Sequence, residues 1–178
     1  TGLEARALAE WFSNLEARAM DCHALALDDN RFDICASQFG VMLFPDMPRA
    51  VDEMVRVTKH GGRVLIVAFG APPKVEFLRS FLGALQSVVP DFAGLPMDPP
   101  PLPFQLADPE ALRQRMSAAG LKEVRVERGT HQIEVRSGQE LWDWVINSNP
   151  IAVQLVSGLT QEQKEDMRQA LDDMVQKL

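Results

Sequence analysis

The run Arg63-Val64-Leu65-Ile66-Val67-Ala68-Phe69 constrains what this chain can fold into more than any other segment. It is the most continuous β-branched stretch present, and a strand this uniformly apolar has to be covered on both faces, which is the situation of a parallel sheet. What precedes it agrees. Residues 32–39 (FDICASQF) form a second, mostly apolar run suited to a buried strand. Residues 48–58 follow with helical periodicity, with Pro48 in the first turn where a helix tolerates it, and His60-Gly61-Gly62 closes that helix. Strand, helix, glycine pair and strand is the order of a right-handed βαβ crossover.

The flanks extend this into an α/β chain of one domain. Residues 3–12 are good helix formers with Leu3, Ala7, Leu8 and Trp11 on one face, and Leu15 to Met20 alternates with the period of a half-buried strand before the turn at Asp21-Cys22-His23. Residues 74–89 predict a strongly apolar helix, followed by a loop, 90–103, that carries six prolines and reads as an extended crossing. Asp108-Pro109-Glu110 starts a helix that Gly120 stops. Residues 124–128 and 132–136 alternate around Gly129 and predict an antiparallel hairpin. From Ser137 the pattern is helical again, with capping pairs Ser137/Glu140 and Thr160/Gln163, the last helix being expected over 160–178. The expected organisation is a core over 1–136, with 74–107 inserted as a lid helix and Pro-rich loop (Met97 within it), and a helical tail over 137–178.

Composition removes several function classes. A net charge of −7 with acids and bases interspersed argues against a nucleic-acid backbone as partner and for a small or neutral substrate. The two cysteines, Cys22 and Cys35, lack the number and spacing of a disulfide framework or a zinc site and read as buried free thiols, so no metal is expected. No apolar run approaches a membrane span and no signal peptide is visible, so the expected location is the cytoplasm without membrane association.

Four short motifs in order resemble the class I S-adenosylmethionine-dependent methyltransferases, of the broad type 11 kind, over essentially the whole chain. Asp21-Cys22-His23-Ala24-Leu25 is similar to the family's D-A-x-x-L stretch, Arg31-Phe32-Asp33-Ile34 to its S-F-D-x-V entry to a strand, and Ser37 through Asp46 to its S-then-D segment beyond that strand. Residues 53–63 (EMVRVTKHGGR) are similar to E-x-x-R-V-L-K-P-G-G-x, with His60 in place of the usual proline. The resemblance implies a Rossmann-like, open, mostly parallel sheet ending in the antiparallel hairpin. It also implies an N-terminally truncated chain, because the family's glycine-rich loop and ribose-binding acid belong upstream of Thr1, roughly 60 residues by the size of two strand-and-helix units.

In open α/β sheets ligands lie beyond the carboxyl ends of the strands, which here directs attention to Asp21–His23, Ser37–Gly40 and Phe69–Ala71. By resemblance, Asp21 accepts a hydrogen bond from the adenine amino group of S-adenosylmethionine and the Cys22 amide meets a ring nitrogen; read on its own, Asp21 is a turn cap. Ser37, Gln38 and Phe39 fall where the family sets the methionine part of the cofactor. As a buried amide, Gln38 either satisfies local backbone or faces the cleft, and Phe39 is either core or cofactor wall. His23 is the catalytic candidate if the acceptor needs a base, ahead of His131, although neither has a partner visible in sequence. Asp28 and Asp29 read as a solvated turn. Trp142 and Trp144 lie on different helix faces, one for the core and one for an apolar acceptor pocket.

The resulting expectation is methyl transfer to a small apolar or amphipathic acceptor in the intact parent, with this chain alone binding the cofactor poorly. The alternative is a non-catalytic methyltransferase-like fragment that forms a homo-oligomer through an exposed sheet edge. A nicotinamide-binding enzyme is the weaker third reading, lacking the same glycine loop.

Overall fold

The computed structural model describes residues 2–96 and 98–176, and the side chains of residues 2–5 and 150 lie outside the description. The expectations placed on the Leu3 side chain and on Met97 and Leu178 therefore fall outside the description. The chain divides into two compact units, residues 1–68 with 110–125, and residues 69–109 with 126–178.

The first unit is built on the βαβ crossover. Strand β1 (Phe32–Gln38) runs parallel to β2 (Thr58–Val67), and helix α2 (Met47–Val57) connects them. Asp46 caps α2 by accepting the Arg49 amide at 3.2 Å, Pro48 lies in the first turn, and the Thr58 hydroxyl donates to the Met54 carbonyl at 2.6 Å beyond the last turn. Met47, Ala50, Val51, Met54 and Val57 form the buried stripe of α2, and Val41 and Met42 from the turn after β1 are buried as well. Recurrence at every third or fourth residue is what makes α2 amphipathic.

The glycine pair, expected to close the helix, lies inside β2 instead, since α2 ends at Val57 and is capped by Thr58. Phe32 pairs with Thr58 and Ile34 with Arg63, so the Lys59–Gly62 segment bulges out of the ladder before regular pairing begins. Gly61 has φ +79, and a Cβ on Gly62 would lie 2.8 Å from the Asp33 carbonyl oxygen and 2.9 Å from that of Lys59. Side chains other than hydrogen are excluded at the second position by backbone, so the motif's last glycine is a packing requirement.

Helices α1 (Gly2–Trp11) and α4 (Pro109–Ala118) complete the first unit's regular structure. The helix expected over 3–12 is present, but its apolar face is not covered: Leu8 is 52% and Trp11 85% exposed. The strand expected over Leu15–Met20 is absent, its residues forming an irregular segment with Leu15 and Met20 exposed. The antiparallel hairpin expected over 124–136 is likewise not formed; both arms are irregular and Ile133 is 51% exposed. Alternation in sequence states which side chains would share a face, but a strand exists only against a hydrogen-bonded neighbour, and an unsupported two-stranded ribbon is marginal in water. Among the described residues the sheet has two strands, so the fold is α/β with a parallel pair.

The second unit is helical. Helix α3 (Glu76–Val88), α5 (Gly138–Ser148), α6 (Pro150–Val156) and α7 (Gln161–Val175) share one core built on Phe81, Leu85, Leu141, Trp142, Val145, Met167 and Leu171. The capping box at Thr160 and Gln163 is complete in both directions. At α5 the Ser137 hydroxyl accepts the Glu140 amide, while the Glu140 carboxylate reaches the Arg136 amide instead of that of Ser137. Among the described residues no helix is long and apolar enough to cross a membrane.

Candidate functional site

A long irregular segment separates α1 from β1, and such a loop in a compact unit is usually functional. Its middle is the turn at Asp21-Cys22-His23. The Asp21 Oδ1 accepts the His23 backbone amide at 2.9 Å and faces the His23 Nδ1 at 3.0 Å. These bonds, the backbone one foremost, hold the Asp21 carboxyl below its ordinary range, so it is ionised and acceptor-only at neutral pH. Both use the same oxygen, and the side chain is 67% exposed, so the second oxygen remains on offer. Sequence showed no partner for His23; the partner is two residues away.

The His23 ring also packs edge-on against Phe44, with centroids 5.6 Å apart at 62°. Phe44 follows the turn that leaves β1, so the loop and the carboxyl end of β1 meet through this contact. The His23 Nε2 is buried and has no hydrogen-bond partner among the described residues. A base with its free nitrogen packed against protein is badly placed for proton transfer.

Asp21, Cys22 and His23 also bring their ligand-type atoms within 4.8 Å of one another. Burial first, and then the Asp21 charge, push the Cys22 thiol up. Cys35 is a half-buried free thiol raised by desolvation, as the sequence suggested.

The second expected group divides. The Ser37 hydroxyl accepts the Val41 amide at 2.9 Å and so starts the turn after β1. Gln38 is exposed, which removes the premise of a buried amide. Phe39 is 37% exposed and is not a core residue. Its φ is +53, a left-handed conformation uncommon for a bulky side chain, while its amide donates to the Val67 carbonyl at 2.9 Å. Backbone strain held at the carboxyl end of a strand is the kind of feature that accompanies ligand sites. Sequence carried no signal for it, because nothing in Ser-Gln-Phe-Gly demands that the phenylalanine, and not the glycine, take the positive φ.

The turn at Asp28 and Asp29 is not merely solvated. Asp29 pairs with Arg56 at 2.5 Å, and Asp28 lies 3.6 Å from Arg31. Glu53 and Arg56, quoted above only as motif letters, are the groups sequence reasoning missed: Glu53 is buried, accepts the Leu25 amide at 2.7 Å and pairs with Arg56 at 2.8 Å. The signal available was a glutamate and an arginine three apart on a helix facing an acidic turn.

In the helical unit, Trp142 is 3% exposed, beneath the Arg168 guanidinium at 4.7 Å. Trp144 is 38% exposed and meets Phe77 edge-on at 4.7 Å. Phe69 lies between Phe77 and Phe104, with centroids 6.0 and 6.3 Å away. His131 is exposed.

Residues 3–66 match a family model described as a methyltransferase domain. A demethylmenaquinone methyltransferase of Thermus thermophilus is 35% identical over 115 residues, covering 60% of this chain and 52% of that protein. The ubiquinone/menaquinone biosynthesis C-methyltransferase UbiE of Bdellovibrio bacteriovorus is 33% identical over 75 residues, 42% of this chain and 32% of its own. A demethylmenaquinone methyltransferase of Mycolicibacterium gilvum is 32% identical over 114 residues, 60% of this chain and 50% of its own. The chain spans about half the length, or less, of these curated relatives.

Proposed function

We propose, on the premise that this chain is part of a class I S-adenosylmethionine-dependent methyltransferase, that the protein transfers a methyl group from S-adenosylmethionine to a small apolar or amphipathic acceptor. The observation that carries the reading is Asp21: an ionised, exposed carboxylate fixed in a turn against the segment leaving β1, with one oxygen engaged and the other open. An exocyclic adenine amine requires such an acceptor. The fit extends to the Cys22 amide beside it and to Ser37, Gln38 and Phe39 at the strand end, the side where open α/β sheets hold ligands.

When bound, the cofactor supplies a methyl group on a sulfonium, and what a protein adds to an in-line displacement is chiefly position. In this reading Asp21 and Cys22 orient the adenine. His23 holds the Asp21 carboxylate in place and is not the base, because its remaining nitrogen is buried. Within the helical unit taken by itself, Phe69, Phe77, Phe104 and Trp144 form an aromatic cluster that we assign to the acceptor. Partly exposed aromatic edges suit a planar acceptor. Two of the relatives above are named for demethylmenaquinone, which makes a demethylated quinol the first acceptor to try.

The test is calorimetric titration of the complete gene's product with S-adenosylhomocysteine, followed by transfer of a labelled methyl group to the demethylated quinol. Micromolar binding and labelled product are expected; no heat of binding sinks the enzyme reading.

A second reading is supported by a different observation. One side of the β1–β2 pair leaves Ile34 63%, Leu65 56% and Val67 38% exposed, a surface that invites a second copy of the chain. Sedimentation across a concentration series should then show a dimer for this chain, and a monomer throughout would exclude it.

A further inference from the structure

The loop that carries Asp21 has no regular structure, yet its second half is held tightly by one face of α2. Arg49, Glu53 and Arg56 are spaced four and three residues apart, so they project from the same side of that helix. Arg49 Nε donates to the His23 carbonyl at 3.0 Å. Arg56 donates to the Leu25 carbonyl through Nη2 at 2.9 Å and to the Leu27 carbonyl through Nη1 at 2.8 Å. The Glu53 carboxylate accepts the Leu25 amide at 2.7 Å and, with both oxygens, steadies the Arg56 fork at 2.8 Å. Three alternate carbonyls and one amide of a single loop are thus bound by helix side chains, and the Arg56 and Val57 carbonyls take the amides of Asn30 and Arg31 where the loop becomes β1.

We infer that Arg49, Glu53 and Arg56 are positioning residues that fix the backbone of residues 23–29, and thereby set the affinity for the adenine end of the cofactor without touching it. The inference rests on the reading that Asp21 and Cys22 bind that end. Two observations separate this role from general stabilisation. The first half of the same irregular segment, with Leu15 and Met20 exposed, receives no comparable grip from α2 among the described residues. Moreover, a buried carboxylate spent on a loop amide is an inefficient source of stability, since apolar packing of equal volume does as well, but it does specify geometry. The planar fork of Arg56 spans two carbonyls in one orientation, which a lysine ammonium cannot do.

The test uses Arg56→Lys and Arg49→Met in the complete gene's product, with hydrogen exchange at Leu25, calorimetry with S-adenosylhomocysteine, and steady-state kinetics. Arg56→Lys should speed exchange at the Leu25 amide, weaken S-adenosylhomocysteine binding about tenfold, and raise KM for S-adenosylmethionine by the same factor with kcat within twofold. Should that variant not fold, Arg49→Met carries the test, because it removes one bond from an exposed side chain; about threefold weaker binding is expected. Faster exchange with unchanged affinity and KM overturns the inference, as does a fall in kcat at constant KM. Wild-type protein that binds no S-adenosylhomocysteine overturns the methyltransferase reading instead, and shows itself before any variant is made.

Discussion

The βαβ unit and the helical unit each contain a glycine with no room for a methyl group, for different reasons. Gly62 sits in the bulge at the start of β2, where a Cβ would press on the carbonyl of Asp33 in β1 and on that of Lys59 in the bulge itself. Gly138 opens α5, where a Cβ would land on the Asp172 amide nitrogen and 2.6 Å from the Leu171 carbonyl carbon of α7, while the Gly138 amide itself donates to the Asp172 carboxylate. One glycine serves a close approach between paired strands and is announced by the motif around it in sequence. The other serves a close approach between helices distant in sequence and is announced by nothing.

Substitution should separate the two. Gly138→Ala forces backbone from backbone at a helix crossing, and on the order of 4 kcal/mol or more of stability should be lost in chemical denaturation of this chain. Gly62→Ala displaces a bulge that has some freedom to relax, and about 2–3 kcal/mol is expected. Equal losses would mean that the bulge is as rigid as the helix crossing and would erase the distinction.

The tryptophans give the same contrast within the helical unit. Trp142 is enclosed by Phe81 and Arg168, so Trp142→Ala should cost about 3 kcal/mol or more. Trp144→Ala should cost about 1 kcal/mol, and in the complete gene's product it should raise KM for the acceptor severalfold. A Trp144 variant with a large stability loss and an unchanged KM would return that ring to the core and remove it from the proposed acceptor face.

What was legible beforehand follows from which interactions are local. Helices α2, α3, α4 and α5 were readable within a residue or two, and α7 at its start, because caps such as Asp46 and Thr160 and an apolar period are written into these segments. The pair β1 and β2 was readable because the crossover motif names both strands, but the burial on both faces expected from their apolar runs is not met, Ile34, Leu65 and Val67 being exposed. Residues 15–20 and 124–136 carried equally good alternation and formed no strand, since alternation describes a face and not a partner. Asp21 was singled out as a candidate through its motif. The roles of Glu53, Arg56 and the strained Phe39 were not legible, because each depends on where the chain returns in space.

Charge distinguishes the units again. Hydrogen bonding from Arg56 first, opposed by burial and helped by the Leu25 amide, lowers the Glu53 carboxyl to about 2, well below the ordinary glutamate range. A carboxyl lowered on folding stabilises the fold fully above its unfolded value, and that contribution is lost as pH falls through about 2. Glu53→Gln should therefore cost about 2 kcal/mol at neutral pH, and its difference from wild type should shrink as the pH is taken from about 4.5 towards 2. A difference that stays constant over that interval would show that Glu53 acts by shape and not by charge.

The smallest expected effect lies at Phe39. Replacing a buried phenylalanine of the helical unit such as Phe81 should cost about 3–5 kcal/mol. Phe39 is 37% exposed and held at φ +53, so Phe39→Gly gives up less apolar contact and releases strain of about 1 kcal/mol. The added freedom of glycine in the unfolded chain takes back a similar amount, leaving a net change within about 1 kcal/mol. The amide bond to the Val67 carbonyl survives, because it belongs to the backbone. A thermal melt that shifts little, beside weaker S-adenosylhomocysteine binding by the complete gene's product, would mark Phe39 as a residue kept for what it contacts when ligand is present. A loss above about 2 kcal/mol would instead make the ring a packing element of the first unit and its backbone conformation a by-product of that packing.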